Sequence, residues 1–488
     1  MEEEHIIVQI VKSKKEEVVD MKKTKIICSI GPSSSNLETI TEMVNVGMNV
    51  ARINFSHANK EQIENIVKII NQVRETTGKN IGILYDTKGP EFRTGIMEND
   101  NVSLTEGSII RIVKEEVIGN FQRFSVNYPN ALSSLQIGSK ILLQDGMMKL
   151  EVISKEEDGV TCKVINGGNL GSKKSINVPG VHLDIPFISE QDIEDIKLSV
   201  IKEGNFLALS FVSSKKDILE AKKLLTELGS NMKIISKIEN AAAVKNIHEI
   251  LEVSDGIMVA RGDLGVEISA EQLPIYQKII VRKCRQMGKV CIVATEMLET
   301  MKENARPTRA EVSDVANAVL DGTDAVMLSG ETTIGKYPVE TVRYMADICE
   351  NAEKYIDYDH VVCPITKLDI DDTIAHNVVS SSKMIDARLI VAATLSGCTA
   401  RKISTLKPKC IILAACPNKE VAYSLSLNFG VYTTLIPLCD STDEVVTNSI
   451  VKAKEFMNLN PKDLIVVTGG FPTDNLDKHT NFLKIEQI

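Results

Sequence analysis

The chain has 488 residues, 43% of them hydrophobic and 25% charged, with a net charge of −10, no tryptophan and ten cysteines. This length points to about three domains at ~150 residues each, with aliphatic cores large enough to need no disulfides. The acidic balance argues against a general nucleic-acid binder, no apolar run reaches the ~18 residues of a membrane span, and the start Met1-Glu-Glu-Glu-His5 does not read as a signal peptide.

Residues 1–21 form a charge-rich arm to which the sequence assigns no function. From residue 24, eight short apolar stretches end in polar residues: Thr24–Ile30, Val50–Ser56, Ile81–Lys88, Phe206–Val212, Lys233–Glu239, Gly256–Leu264, Val290–Met297 and Asp324–Glu331. Between them lie stretches with helical apolar spacing, such as Leu37–Val46, Glu61–Thr76 and Ala270–Met287. Near-continuous Val, Ile and Leu in such stretches fits parallel strands buried on both faces. The pattern predicts a (β/α)8 barrel over residues 22–89 and 184–355. Residues 90–183 interrupt it with short alternating stretches (Val102–Thr105, Ser108–Val113, Lys140–Leu143, Lys149–Ile153, Val160–Val164) separated by glycine turns. They read as an inserted all-β domain placed to act as a lid. Residues 356–488 return to alternation, with strands Arg388–Thr394, Cys410–Cys416, Val431–Pro437 and Asp463–Gly470 and helices between, a separate doubly wound α/β domain. The absence of Cys-x-x-Cys fits a reducing, cytoplasmic setting.

Barrel enzymes carry their sites at the C-terminal ends of the strands. Here those ends hold Arg52, Asn54, Ser56 and His57; Asp86, Thr87 and Lys88; Lys237 and Glu239; Arg261 and Asp263; Thr295 and Glu296; and Ser329 and Glu331. Side chains two apart on a strand share a face, so Lys237 is expected beside Glu239 and Arg261 beside Asp263. Any one of these pairs alone is more often a solvated rim. Six polar ends converging on one point are costly unless ligands satisfy them. Glu239 and Asp263 suit Mg2+ or Mn2+, which takes few carboxylates and fills its shell with water and substrate oxygens. Arg52 and Lys237 can neutralise a phosphoryl group, and the Gly262-Asp263-Leu264-Gly265 turn can offer backbone N–H groups to an anion. Together they imply a phosphorylated carboxylic acid held by a divalent metal. Asn54, Ser56, Asp86 and Thr87 form a second oxygen-rich group, either a network supporting Arg52 or a monovalent cation site.

These motifs, in this order, resemble the pyruvate kinase family. The likeness runs from about residue 22 to the end and rests on Thr24–Pro32, Gly47–His57, Asp86–Gly95, Ile235–Asn240, Asp255–Gly265, Arg306–Asn317 and Met327–Thr332. The resemblance implies transfer of the phosphoryl group of phosphoenolpyruvate to ADP, giving pyruvate and ATP. It implies that Arg52 and Lys237 hold the phosphoryl group, that Lys237 stabilises the enolate, and that Glu239 and Asp263 ligate Mg2+. Thr295, with the backbone at Gly262 and Asp263, would hold the substrate carboxylate. Asn54, Ser56, Asp86 and Thr87 would bind K+, and Glu91 marks the K+-dependent pattern. Arg52, His57 and Lys174 would contact the nucleotide, and Arg93 would reach the phosphate on lid closure. Thr295, Ser329 and a water chain are the candidates for protonating the enolate. Ala242 stands where the family carries a polar or acidic residue, and Glu296 where many members have Gln. Family members are usually tetramers.

In the C-terminal domain, Thr394, Ser396, Gly397 and Thr399 form a loop at a helix start, either a phosphate cradle or a plain β–α turn. The family often binds a phosphorylated sugar there. Asp474 and Asp477 in the facing segment Phe471–His479 would repel a bisphosphate, which leaves a sugar monophosphate, a nucleotide or no effector. Two other readings compete with the main one. A Mg2+-enolate lyase or aldolase shares the Glu/Asp pair but lacks the Asp86–Gly95 motif and the insert with Lys174. A non-catalytic metabolite sensor would not need Arg52, Lys237, Glu239, Asp263 and Thr295 all kept.

Overall fold

The structure, a computed structural model, describes residues 21–181, 183–358, 369–470 and 479–488. Strands Lys25–Ser29, Val50–Asn54, Gly82–Asp86, Phe206–Leu209, Lys233–Ile238, Gly256–Ala260, Val290–Ala294 and Ala325–Leu328 follow one another around a closed barrel, each pair parallel. Alternation along each strand divides the burial. Ile27, Leu84, Ile235, Met258, Ile292 and Met327 pack into the barrel interior, while Ile26, Ile83, Ile234, Ile257, Val293 and Val326 pack outward against the helices. That two-sided burial is why the strands read as unbroken apolar runs. Helix Lys60–Thr77 shows how local chemistry sets the element ends. Asn59 and Gln62 form a reciprocal capping box at its start, and Gly78 ends it at φ 67°.

The insert folds on its own apolar core as a six-stranded sheet with a separate two-stranded one. Three of its strands, Arg123–Ser125, Gly168–Leu170 and Ile176–Asn177, have no sequence signal because they are only two or three residues long. The C-terminal sheet runs Val431–Leu435, Ile411–Cys416, Leu389–Ala393 and Leu464–Gly469 in parallel, with helices and an apolar cluster on each face. Its edge strand Phe482–Gln487 pairs antiparallel and was not expected from the sequence. Lys484, Ile485 and Gln487 of that strand are exposed, so the apolar and polar positions do not alternate with burial and its signal is weak.

The C-terminal domain seals the N-terminal end of the barrel. Leu427 joins the barrel's interior cluster. The fully buried Lys25 sends its ammonium to the Val431 carbonyl at 2.6 Å, over the Tyr432 ring. The opposite end, where the strands turn polar, is left to ligands. Among the described residues no helix is long and apolar enough to cross a membrane.

Candidate active site

Strand register sets the first contacts of the site. Arg52 lies beside Ser29 on one neighbouring strand, and Asn54 lies opposite Asp86 on the other. The Arg52 guanidinium donates to Asp86 Oδ2 at 2.7 Å through Nε and to Ser29 Oγ at 2.7 Å through Nη1, and Nη2 approaches Asp86 Oδ2 at 2.6 Å. Asp86 is 1% exposed. Burial alone would push its carboxyl up, but the charges of Lys237 and Arg52 outweigh that and hold it below the usual range.

Lys237 and Glu239 leave the end of the fifth strand together, as their spacing predicts. The Lys237 ammonium lies 2.8 Å from Glu239 Oε1 and 3.3 Å from Asp86 Oδ1, and donates to Ser210 Oγ at 2.8 Å. Burial works against that charge, yet Asp86 and Glu239 prevail and keep the amine above the ordinary lysine range. Glu239 Oε2 accepts the Phe211 N–H at 2.6 Å. Its other oxygen, Oε1, is buried and faces the Lys237 ammonium. Burial first, and the nearby Asp263 second, push the Glu239 carboxyl up to about 7. A buried carboxylate within the field of a second acid is a donor pair that a divalent cation satisfies. Among the described residues no group of three or more His, Cys, Asp or Glu gathers. The pair therefore fits a hard ion that completes its shell with substrate and water.

The pairing of Arg261 with Asp263 on one strand face is corrected by the structure. The sixth strand stops at Ala260, and Arg261–Glu267 is a helix. Two residues apart on a helix do not share a face. Arg261 instead turns inward. It binds Asp314 Oδ2 at 2.6 Å and donates to the carbonyls of Thr295 at 2.7 Å and Glu296 at 2.9 Å. Asp263, in the first turn of the helix, stays exposed on the lip. The Gly262 N–H is already bound to Thr295 Oγ1 at 2.8 Å.

Thr295 and Glu296 have φ of 68° and 52°. Two consecutive left-handed residues, the first β-branched, store strain that the Arg261 contacts hold in place. Glu331 folds back to accept the N–H groups of Leu298 and Ser329 at 3.1 and 2.8 Å, so it braces the loop and does not face the cluster. Ser329 Oγ is buried without a hydrogen-bond partner. Ser56, His57 and Lys174 are exposed, and the Asn54 side-chain Oδ1 accepts the Ser56 N–H at 2.9 Å. Thr87 Oγ1 accepts the Ser210 N–H at 3.2 Å. Ser210 and Ser29 carry no role in the sequence reading. Ser210 is the polar residue at the end of the fourth strand, and the strand-end rule applied there finds it.

Between insert and barrel opens a cleft of about 510 Å3 bounded by Arg93, Asp145 and Asn177 on one side and Asp263 and Glu267 on the other. Arg93 pairs with Glu91 at 2.7 Å and donates to the Lys173 carbonyl at 2.7 Å. Asn177 reaches across to Glu267 Oε1 at 3.2 Å.

The loop of Thr394, Ser396, Gly397 and Thr399 lies in the other domain. There Gly397, at φ 84°, donates its N–H to Thr394 Oγ1 at 3.0 Å, and Thr399 Oγ1 meets Thr480 Oγ1 at 2.7 Å. The loop borders a small cavity of about 60 Å3 with Pro437 and His479. Asp474 and Asp477 lie outside the described residues.

Known proteins match the chain along nearly its whole length. The family model "Pyruvate kinase, barrel domain" matches residues 21–342, and "Pyruvate kinase, alpha/beta domain" matches residues 372–486. A pyruvate kinase of Bacillus licheniformis is 45% identical over 456 residues, 92% of this chain and 78% of that protein. One from Staphylococcus aureus (strain MRSA252) is 43% identical over 473 residues, 96% of this chain and 81% of that protein. The crystal structure of a pyruvate kinase from Cryptosporidium parvum superposes with a TM-score of 0.91 at 37% identity and covers 96% of each chain. With barrel, insert and C-terminal sheet all covered by one set of relatives, the chain belongs to the pyruvate kinase family.

Proposed function

We propose that the chain transfers the phosphoryl group of phosphoenolpyruvate to ADP, giving pyruvate and ATP. The observation that carries this reading is the buried Lys237 ammonium, held between Glu239 and Asp86 with Arg52 on the far side of Asp86. Phosphoryl transfer needs positioning and charge stabilisation more than covalent chemistry. The P–O bond to the enol oxygen breaks as a bond from an ADP oxygen to phosphorus forms. Arg52 and Lys237 bind the phosphoryl oxygens. Lys237 then stabilises the negative charge left on the enolate oxygen. Thr295 and the backbone at Gly262 and Asp263 would hold the substrate carboxylate. The enolate carbon takes a proton to give pyruvate. Thr295, Ser329, whose hydroxyl is buried without a partner, and a water chain are the candidates for supplying it.

Glu239 and Asp263 would hold Mg2+ or Mn2+, which when bound supplies charge to the phosphoryl and carboxylate oxygens. Asn54, Ser56, Asp86 and Thr87 would hold K+. Their oxygen-only set with one carboxylate suits a monovalent ion. His57, Lys174 and Arg52 would face the nucleotide, and Arg93 the phosphate as residues 90–183 close over residues 22–89 and 184–355. Residues 356–488 would be regulatory, with a phosphorylated effector at Thr394, Ser396, Gly397 and Thr399. A homotetramer follows the family habit. A cytoplasmic location is supported by the unpaired cysteines among the described residues.

Incubating the purified chain with phosphoenolpyruvate, ADP, Mg2+ and K+, with lactate dehydrogenase and NADH to consume pyruvate, tests the proposal. NADH oxidation that needs both substrates is expected. Its absence, or pyruvate release without ATP, would count against phosphoryl transfer.

A further inference from the structure

A second, larger cleft of about 920 Å3 lies at the seam between the barrel and the C-terminal domain, away from the strand ends. The barrel contributes its first described residues and the end of helix Pro338–Glu353, and the other domain contributes helix Ile370–Met384 and the segment Leu406–Ile411. The chain carries a net charge of −10, yet the wall of this cleft is cationic. Among the described residues Lys23, Lys354, Lys383, Arg388, Lys407 and Lys409 line it, against the carboxylates Glu350, Glu353 and Asp386. A concentration of one sign in a cleft focuses the field on an ion of the other.

The hydrogen bonds show which of these charges are already matched. Lys407 is committed to Asp324 and the Thr323 carbonyl. Lys409 approaches Asp386 at 3.4 Å, and Arg388 stands 4.0 Å from Asp463, both at the loose end of pairing. Both Glu353 oxygens are occupied by the backbone N–H groups of Lys23 and Thr24, at 2.6 to 3.0 Å. The Lys23 ammonium is therefore left over. Lys23 is only 8% exposed, and its ammonium makes no hydrogen bond or ion pair with any described residue. Its nearest aromatic group is the Tyr358 ring, 5.7 Å away. The Lys23 ammonium therefore faces the cleft with no counter-ion among the described residues, and an anion bound there would pair with it.

We propose that this cleft binds a small phosphorylated anion, held between Lys23 of the barrel and Arg388 and Lys409 of the C-terminal domain. A phosphate offers several oxygens to donors arriving from different directions, which matches point-charge lysines set on two domains. The inference is independent of the reaction at the barrel mouth. A ligand here would contact both domains at once and so favour the arrangement in which they fit it.

Crystals of the full chain soaked in sodium tungstate, a tetrahedral dianion with an anomalous signal, should show a peak beside the Lys23 ammonium. The peak should be lost in Lys23→Met and weakened in Lys409→Ser, while peaks at the barrel mouth remain. In solution, the rise in melting temperature caused by inorganic phosphate over chloride at equal ionic strength should fall by about half in both variants. The exposed Lys409→Ser variant keeps the test decisive if the buried substitution disturbs folding. No peak at the seam, or an equal peak in both variants, overturns the proposal. So does an adventitious ion only, seen as a peak with an unchanged phosphate response in solution.

Discussion

In the proposed reaction Lys237 is the side chain on which the chemistry turns, and its surroundings predict what its loss does. Lys237→Met removes the cation that meets the developing enolate charge. A preorganised electrostatic partner of this kind is worth ~10²–10³ in kcat. The expected outcome is a variant that binds phosphoenolpyruvate but turns over about that much more slowly in the coupled assay; near-normal kcat would remove Lys237 from the mechanism. Ser210 links the same ammonium to Asp86 and to the Thr87 carbonyl, at 3.2 and 2.8 Å. A hydrogen bond to a charged group contributes ~1.5–3 kcal/mol, so Ser210→Ala should lower kcat about tenfold and raise the K+ concentration for half-activation. An unchanged K+ curve would make Ser210 merely structural. Glu239 gives a pH signature. Its carboxyl, pushed up to about 7 from an ordinary 4.5, favours the folded state when protonated. That contribution is present at low pH and is lost as the pH rises through about 7. A divalent cation pairs the anion and restores it. Mg2+ should therefore raise the melting temperature little at about pH 6 and clearly at about pH 8, and Glu239→Gln should flatten the difference. An equal Mg2+ effect at both values would contradict this assignment.

The strand ends are the elements that position the site, and they show what a sequence can and cannot reveal. The eight barrel strands were legible because two-sided burial writes unbroken apolar runs, and Lys237 and Glu239 were legible because strand periodicity is rigid. Arg261 was misread because nothing in Met258–Leu264 marks the change from strand to helix after Ala260. Its true partners, Asp314 and the Thr295 and Glu296 carbonyls, are 34 to 53 residues away in sequence. The left-handed turn at Thr295–Glu296 was invisible for a related reason, since neither residue is a glycine. That turn yields its own prediction. Arg261→Met leaves two carbonyls and Asp314 without their donor. The substrate-binding turn should relax, with kcat/KM falling about 10²-fold and KM for phosphoenolpyruvate rising. Unaltered kinetics would show that Thr295 keeps its conformation without Arg261.

At the scale of the whole molecule, the chain separates its two ends. The C-terminal domain closes the bottom of the barrel through Leu427, Lys25 and the Lys407–Asp324 pair. Lys407→Ala would leave Asp324 buried without its cation, a loss of about 3–5 kcal/mol. It should lower the melting temperature while leaving KM for phosphoenolpyruvate unchanged, because no site residue lies at that end. The insert and the edge strand of the C-terminal sheet were only partly legible, since short or half-exposed strands leave little periodicity. The cluster of Arg52, Asp86, Lys237 and Glu239 was more legible than either, because polar residues at buried strand ends stand out from the aliphatic background. There Glu239 and Asp263 would jointly hold a divalent cation in front of Lys237. The most direct measurement is the anomalous difference map of crystals grown with Mn2+ and oxalate. A peak between the two carboxylates, with oxalate oxygens turned toward the Lys237 ammonium, is the predicted result. A fully occupied Mn2+ peak elsewhere, with Glu239 and Asp263 bare, would contradict it.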